Sequence, residues 1–413
     1  MKEKNFSTTA VDWRQGTWQR AVAGNDVAEI VITSDWAPIR DFAPIIAAHP
    51  EAIYGDLLPL LRNADLSITN LECPLTDAET PVWKSGAVLK GAVKHVKGLA
   101  AVPFDIVTMA NNHVFDYGVA AFTETTNLLD ANNIDRLGAG MNASEACHPL
   151  VRDVNGIRLA IVNFSEGEDL TAAGDGPGVF GWEVEHVADM VADLKNRVHA
   201  VVVICHCGVE YIPFPPPYVA DAFQRIAEAG ADLIIGHHPH VPQGIQVHDN
   251  VPICYSLGNF VFYQETDLLF RKVGYLVKAG LGKQGLTHIT VVPYEIQADR
   301  LALLTGEDLE EFMHSLEEIS APLSDNDGIA AAWHGFLCRY GLAGFEQEIG
   351  MLMEEIRKQP HKGAAMFRNR ITTMQHNQHW IDAMTRIVNG TINDAPDWAV
   401  ALTEQWFTRK RTP

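Results

Sequence analysis

The residues able to do chemistry stand where apolar runs end. Segment 29–34 leads into Asp35, 66–70 into Glu72, 106–109 into Asn111, Asn112 and His113, 200–205 into His206, and 233–235 into Gly236-His237-His238-Pro239-His240. Carboxylate, amide and imidazole groups are the donors of a hydrolytic metal centre. Singly, each has a plainer use: an Asp after a strand caps a turn, Asn-Asn makes a tight bend, and a buried His is a hydrogen-bonded core residue. Two histidines bracketing a proline after an apolar run have fewer structural uses. Donors at five run ends together argue for a shared metal.

Such residues need strands beneath them. In open α/β sheets the carboxyl ends of the strands form the crevice where ligands bind. Further β-branched or apolar runs cover 158–163, 253–257 and 288–293, and amphipathic segments alternate with them. In 218–229, Ala222, Phe223, Ile226 and Ala227 fall on one helical face, and Gly230 gives a stop signal. This alternation predicts an α/β domain with buried sheets over 26–300. Residues 1–25 read as an irregular lead-in whose Trp13 and Trp18 dock on the body. Past 300 strand runs cease, and helical periodicity over 307–318, 328–357, 363–389 and 398–409 predicts a helical C-terminal region, 301–413, with a linker at 320–328.

Composition narrows the function classes. The 413 residues are 47% apolar and 20% charged, which supports a large core and excludes global disorder. A formal charge of −21 argues against nucleic acid or an anionic membrane as partner, since both need basic surface. No run approaches the ~18 apolar residues of a membrane span. Residues 1–10 are polar, without the apolar core of a secretory signal, so the expected location is cytoplasmic. The six cysteines form no CxxC pair and read as reduced thiols; on a strand, Cys205 and Cys207 face away from His206.

In order along the chain come Asp35 with Arg40, Asn70-Leu71-Glu72, Ala110-Asn111-Asn112-His113 with Asp116 and Gly118, His206-Cys207-Gly208-Val209-Glu210-Tyr211, Gly236-His237-His238-Pro239-His240, and Tyr255-Ser256-Leu257-Gly258-Asn259-Phe260. Over residues 28–265 this series resembles the CapA (PgsA-like) poly-γ-glutamate synthesis family, within the calcineurin-like metallophosphatase superfamily. The resemblance implies an α/β, four-layer α-β-β-α sandwich with metals at the strand ends, here followed by the helical C-terminal extension. It also implies ligand roles for Asp35, Glu72 as the bridging carboxylate, Asn112, His206, His238 and His240, and a catalytic role for His113. The histidine usual two residues after the first Asp is Ala37 here, and the bridging group is Glu rather than Asp. By this count Glu72, Asn112, His206 and His238 hold one ion, and Asp35, Glu72 and His240 hold a second, weaker one. One or two divalent ions (Mn, Zn or Fe) are expected.

Other residues have supporting claims. Asp116, three residues after His113, can orient its imidazole. Arg40, Lys84 and Lys90 can meet a substrate carboxylate or phosphate, surface lysine being the plainer reading of the last two. Glu210 and Tyr211 follow a ligand and can reach the site, and Asn259 can bond to a ligand or form a turn. His376 and His379 read as packing or capping residues. The expected activity is a metal-dependent hydrolase in which a metal-activated water attacks a peptide-like, poly-γ-glutamate-related or phosphoester substrate, with His113 as general acid or base. Two alternatives use the same site: epimerisation of a peptide Cα centre, and a non-catalytic accessory role in capsule or polymer synthesis.

Overall fold

The computed structural model describes residues 10–20 and 27–411. The remainder of the expected lead-in, 1–9 and 21–25, lies outside the described residues, as does most of the segment read for a secretory signal. In chain order the first strands are β1 Thr17–Gln19, β2 Ala28–Trp36, β3 Leu66–Leu71, β4 Ile106–Thr108 and β5 Asp135–Leu137. Next come β6 Ala139–Gly140, β7 Leu150–Val154, β8 Ile157–Ser165, β9 Gly178–Val179, β10 Ala200–His206 and β11 Leu233–His237. The last are β12 Ile245–His248, β13 Val251–Cys254, β14 Val273–Gly282, β15 Gly285–Ile296 and β16 Leu301–Leu303.

Two large sheets form from these, and β6 pairs with β9 in a third of two strands. The first has the order β1-β15-β14-β2-β3-β4-β5, with β16 on the far part of β15; the second runs β12-β13-β11-β10-β8-β7. Strands β2 to β5 are mutually parallel, as are β8, β10, β11 and β13, so each sheet brings several carboxyl ends to one edge. Side chains alternate in face along a strand, and the alternation sets the layers. Ile30, Ile32, Val202 and Ile204 meet between the sheets. Val31 packs outward with Phe42, Ile46, Leu99 and Leu129 from the helices over the first sheet. Val201, Val203 and Cys205 pack outward with Val187, Leu194, Phe223 and Ile226 from the helices over the second. The order is α-β-β-α.

Three features differ from the sequence reading. The lead-in is not wholly irregular: β1 pairs antiparallel with β15, and Trp18 is fully buried in the inter-sheet core. The first sheet runs past residue 300 through β16. The segment 363–389 is two helices, Pro360–Thr372 and Met374–Val388, because Thr373 is extended at φ −97° and ψ 132°. The remaining C-terminal helices are Gly306–Ser320, Asn326–Lys358 with a break at Gly341 (φ 51°), and Asp397–Thr408. The expected linker tightens into a short turn, Ala321–Ser324, after which the Asp325 side chain caps the next helix by accepting from Gly328 N. This region also feeds the inter-sheet core, through Phe312, Leu316, Ile319 and Trp406.

Candidate metal centre

An extra residue in β2 between Ile32 and Asp35 shifts its register against β3, so Asp35 pairs with Asn70. Such a bulge re-aims the side chains that follow it. Glu72 leaves the end of β3, with its N–H donating to Trp36 O (3.0 Å). After β4, Asn111 shapes the turn: its Oδ1 accepts from His113 N (3.1 Å) and Val114 N (3.0 Å), and its amide donates to Leu71 O (2.9 Å). That leaves Asn112 and His113 free to project. His206 ends β10 in register with His237 on β11, and Gly236 precedes it because a Cβ there would collide with the Tyr255 carbonyl. His238 and His240 hold φ values of 100° and 56°, left-handed backbone that a β-carbon disfavours. Backbone cost of this kind concentrates at functional sites.

Donor atoms of Asp35, Glu72 and His206 lie within 4.8 Å of one another, as do those of Glu72, His238 and His240. Glu72 is common to both groups, as a bridging carboxylate must be. Histidines of both groups also stand near Asp35: His206 Nδ1 is 3.8 Å from its Oδ1, and His240 Nδ1 is 3.7 Å from its Oδ2. Asn112 Oδ1 lies 3.1 Å from His206 Nε2, and His238 Nδ1 lies 3.1 Å from the same atom.

The decisive feature is what these groups lack. Asp35 Oδ2 and both Glu72 carboxyl oxygens are buried with no hydrogen-bond partner. Burial pushes Asp35 up to about 7 and raises Glu72 well above the usual carboxylate range, with Asp35 adding to the latter. Burial also lowers His240 to about 4 and His206 well below the ordinary imidazole value, so both present neutral lone pairs. Unpartnered buried acceptors are costly alone, and a cation relieves that cost. The donor set fits a divalent ion.

Neighbouring amides orient the rings. Asn259 donates to His240 O (3.3 Å), which identifies its Oδ1 as the acceptor for His240 Nδ1–H (2.8 Å). His240 Nε2 is thereby left unprotonated, 3.7 Å from Glu72 Oε1. Asn70 donates to Asp35 Oδ1 (2.8 Å). Beside this cluster, His113 Nδ1–H donates to Asp116 Oδ2 (2.7 Å), and Lys84 Nζ donates to Asp116 Oδ1 (2.8 Å) and Asn112 O (2.6 Å). Burial opposes ionisation of Asp116, but His113 and Lys84 outweigh it and hold the carboxyl below its ordinary value. Lys84 is therefore neither a surface lysine nor free for substrate; it is a buried counter-ion.

The other candidates divide. Tyr211 lies beside His240, ring centroids 5.9 Å apart, and Glu210 and Tyr211 both line a cleft of about 720 Å³. Arg40 donates to Tyr263 O (2.7 Å), and Lys90 donates to Ala78 O, so neither cation is presented to that cleft. His379 packs as expected, donating to Gln375 O (2.9 Å) against Tyr340. His376 and His379 both also line the cleft, so neither is confined to packing. Sequence reasoning missed Glu168 and Gln375. Asn112 Nδ2 donates to Glu168 Oε2 (2.7 Å), and His238 Nε2 lies 2.8 Å from Gln375 Oε1. Glu168 follows β8, and the strand-end rule applied to 158–163 would have found it. Gln375 lies in a helix far along the chain and carried no signal.

Residues 20–264 match the model of the family described as bacterial capsule synthesis protein PGA_cap. The chain belongs to that family. It is 31% identical over 265 residues to the PGA biosynthesis protein CapA of Bacillus subtilis, covering 63% of this chain and 69% of that one. With the capsule biosynthesis protein CapA of Bacillus anthracis it shares 31% identity, over 59% of this chain and 61% of that one. A probable polyglutamine synthesis accessory protein of Mycobacterium tuberculosis is 26% identical, over 65% of this chain and 76% of that one. Among solved structures, the calcineurin-like phosphoesterase YfkN of Bacillus subtilis is similar at a TM-score of 0.39 and 13% identity, over 71% of this chain and 99% of that one. The 5'-nucleotidase precursor of Thermus thermophilus gives 0.40 and 15%, over 70% and 57%. Among the described residues of this PGA_cap member, no helix is long and apolar enough to cross a membrane.

Proposed function

We propose that this PGA_cap protein is a metal-dependent hydrolase of a peptide-like, poly-γ-glutamate-related polymer, with phosphoesters as the other substrate class its donors suit. The observation that carries the reading is the set of unpartnered buried oxygens on Asp35 and Glu72 among three histidines. Asp35, Glu72, Asn112, His206, His238 and His240 would hold one or two divalent ions. A bound ion would polarise the reacting carbonyl or phosphoryl oxygen and lower the pKa of water. The chain supplies the proton handling. Asp116 holds Nδ1–H of His113, so Nε2 is the atom that accepts or gives a proton at the reacting group. The cleft of about 720 Å³, lined by Glu210 and Tyr211 and reaching the centre through Glu168 and Gln375, would take an extended substrate.

One observation favours a second reading, a non-catalytic accessory protein. The space beside Asn112, His206 and His238 is about 10 Å³ and is walled by Gln375, room for about one water. Elemental analysis of the full chain, followed by mass spectrometry of γ-glutamyl oligopeptides and phosphate release from phosphoesters, separates the two. Stoichiometric metal with turnover of either class is the expected result. Stoichiometric metal without turnover favours the accessory role, and absence of metal removes both.

A further inference from the structure

Two ligands are held from outside the strand-end motifs, and both holds lead to the C-terminal helices. His376 Nε2 lies 2.8 Å from Arg370 Nη1, 3.0 Å from the Gln375 amide nitrogen and 3.2 Å from Glu168 Oε1; the guanidinium can only donate, so the ring nitrogen accepts from it. An unprotonated Nε2 favours the nitrogen of the Gln375 amide over its oxygen, which turns that oxygen toward His238. His238 Nε2 must then donate to Gln375 Oε1 (2.8 Å), which leaves the Nδ1 lone pair facing the other donors. The second hold starts at Asn369, whose Nδ2 donates to Glu168 Oε1 (2.7 Å). Glu168 Oε2 in turn accepts from Asn112 Nδ2 (2.7 Å), so the Asn112 oxygen is the end turned inward, 3.1 Å from His206.

We infer that Gln375 and Glu168 are positioning residues of the metal centre, the first fixing the His238 tautomer and the second the Asn112 amide, so that the C-terminal helices complete the site. The inference rests on the metal-centre reading above. It makes the helical region part of the site: a ligand whose partner sets its tautomer binds metal more tightly than one free to turn. Gln375 does for His238 what Asn259 does for His240, from more than a hundred residues further along the chain.

The test is a chelator-competition titration of full-length protein with Zn(II), repeated with Co(II) to read the ligand-field spectrum. Gln375→Leu removes the acceptor, and roughly 10–100-fold weaker binding with an altered Co(II) spectrum is expected. Gln375→Glu keeps an acceptor at the same reach and should restore both readouts. Glu168→Ala should weaken binding to a similar degree through Asn112, and it reads the same inference if Gln375→Leu does not fold. Wild-type affinity in both Gln375→Leu and Glu168→Ala overturns the proposal. So does equal weakening in Gln375→Leu and Gln375→Glu, which would mark Gln375 as packing. A wild-type chain that binds no metal overturns the metal reading itself, a different outcome from either.

Discussion

The strand ends and the C-terminal helices build one site by opposite routes. At the strand ends the backbone does the placing: parallel neighbours in register carry Asp35 beside Asn70 and His206 beside His237, so short motifs contain both the ligand and the reason for its position. The helices contribute through single side chains, Gln375 and Asn369, which reach the centre only because helix packing happens to aim them there. A sheet delivers donors as a repeating consequence of topology. A helix delivers them one at a time. The difference teaches that the identity of the proposed ligands and their orientation are separately encoded in this fold.

If chemistry belongs to the strand ends, the largest effect of a single change should fall there with the metal retained. His113→Ala is expected to lower turnover by ~10²–10⁴-fold, the usual weight of a general acid or base. Metal content should stay at the wild-type level, because His113 is engaged by Asp116 rather than grouped with the ligands. Loss of metal would make His113 a ligand; full turnover would move the proton transfer to another group. His238→Ala sets the contrast and should remove most of the metal. Unchanged metal there would break the assignment of His238.

The next effect asks whether the helices are an appendage or part of the body. Trp406 is buried, stacks on Phe270 and donates to Pro242 O (3.2 Å), so the last helix is tied to the sandwich core. Trp406→Ala should cost ~3–5 kcal/mol of unfolding free energy, read as a lower midpoint in a single denaturant transition. Two separated transitions would show that the helices fold as an independent unit, against the shared core.

These expectations follow the pattern of what could be read beforehand. The α/β alternation was legible because β-branched runs are local signals, and the runs at 29–34, 66–70 and 200–205 lie within β2, β3 and β10; the four-layer order came from the family resemblance. Besides β1 and the two- and three-residue strands β5, β6, β9 and β16, strands β7, β12 and β14 went unread. Their short, edge or glycine-containing stretches (Gly274, Gly280) lack a clean alternation, and pairing rather than propensity makes them strands. Lys84 was misread because nothing local announces that Asp116 and Asn112 will bury its ammonium. The contact of Arg40 was unreadable for a similar reason: the carbonyl it meets, at Tyr263, lies far along the chain. Contacts that span the chain are set by packing, and packing is not written in a short motif.

Glu166 gives the smallest effect and tests the seam between the two regions. It lines the narrow space shared by His206, His238 and Gln375, and its carboxyl accepts from Tyr218 OH. Burial pushes it up to about 8 from an ordinary 4.5, with the nearby Glu168 charge adding to the shift against the Tyr218 bond. Because the folded-state value is raised, the unfolded chain gives up its proton first. Stability from this group is complete below about 4.5 and is lost as pH rises through about 8. Glu166→Gln keeps the carbonyl that Tyr218 needs and cannot ionise, so its melting temperature should fall less than wild type between those limits. Residual solvent contact along the Glu166 side chain keeps the difference modest. The comparison belongs in the metal-loaded protein, where ligation removes the titration of Asp35 from the same range. Parallel pH profiles for wild type and variant would mean that Glu166 is ionised in the folded chain, and that the seam admits enough water to solvate it.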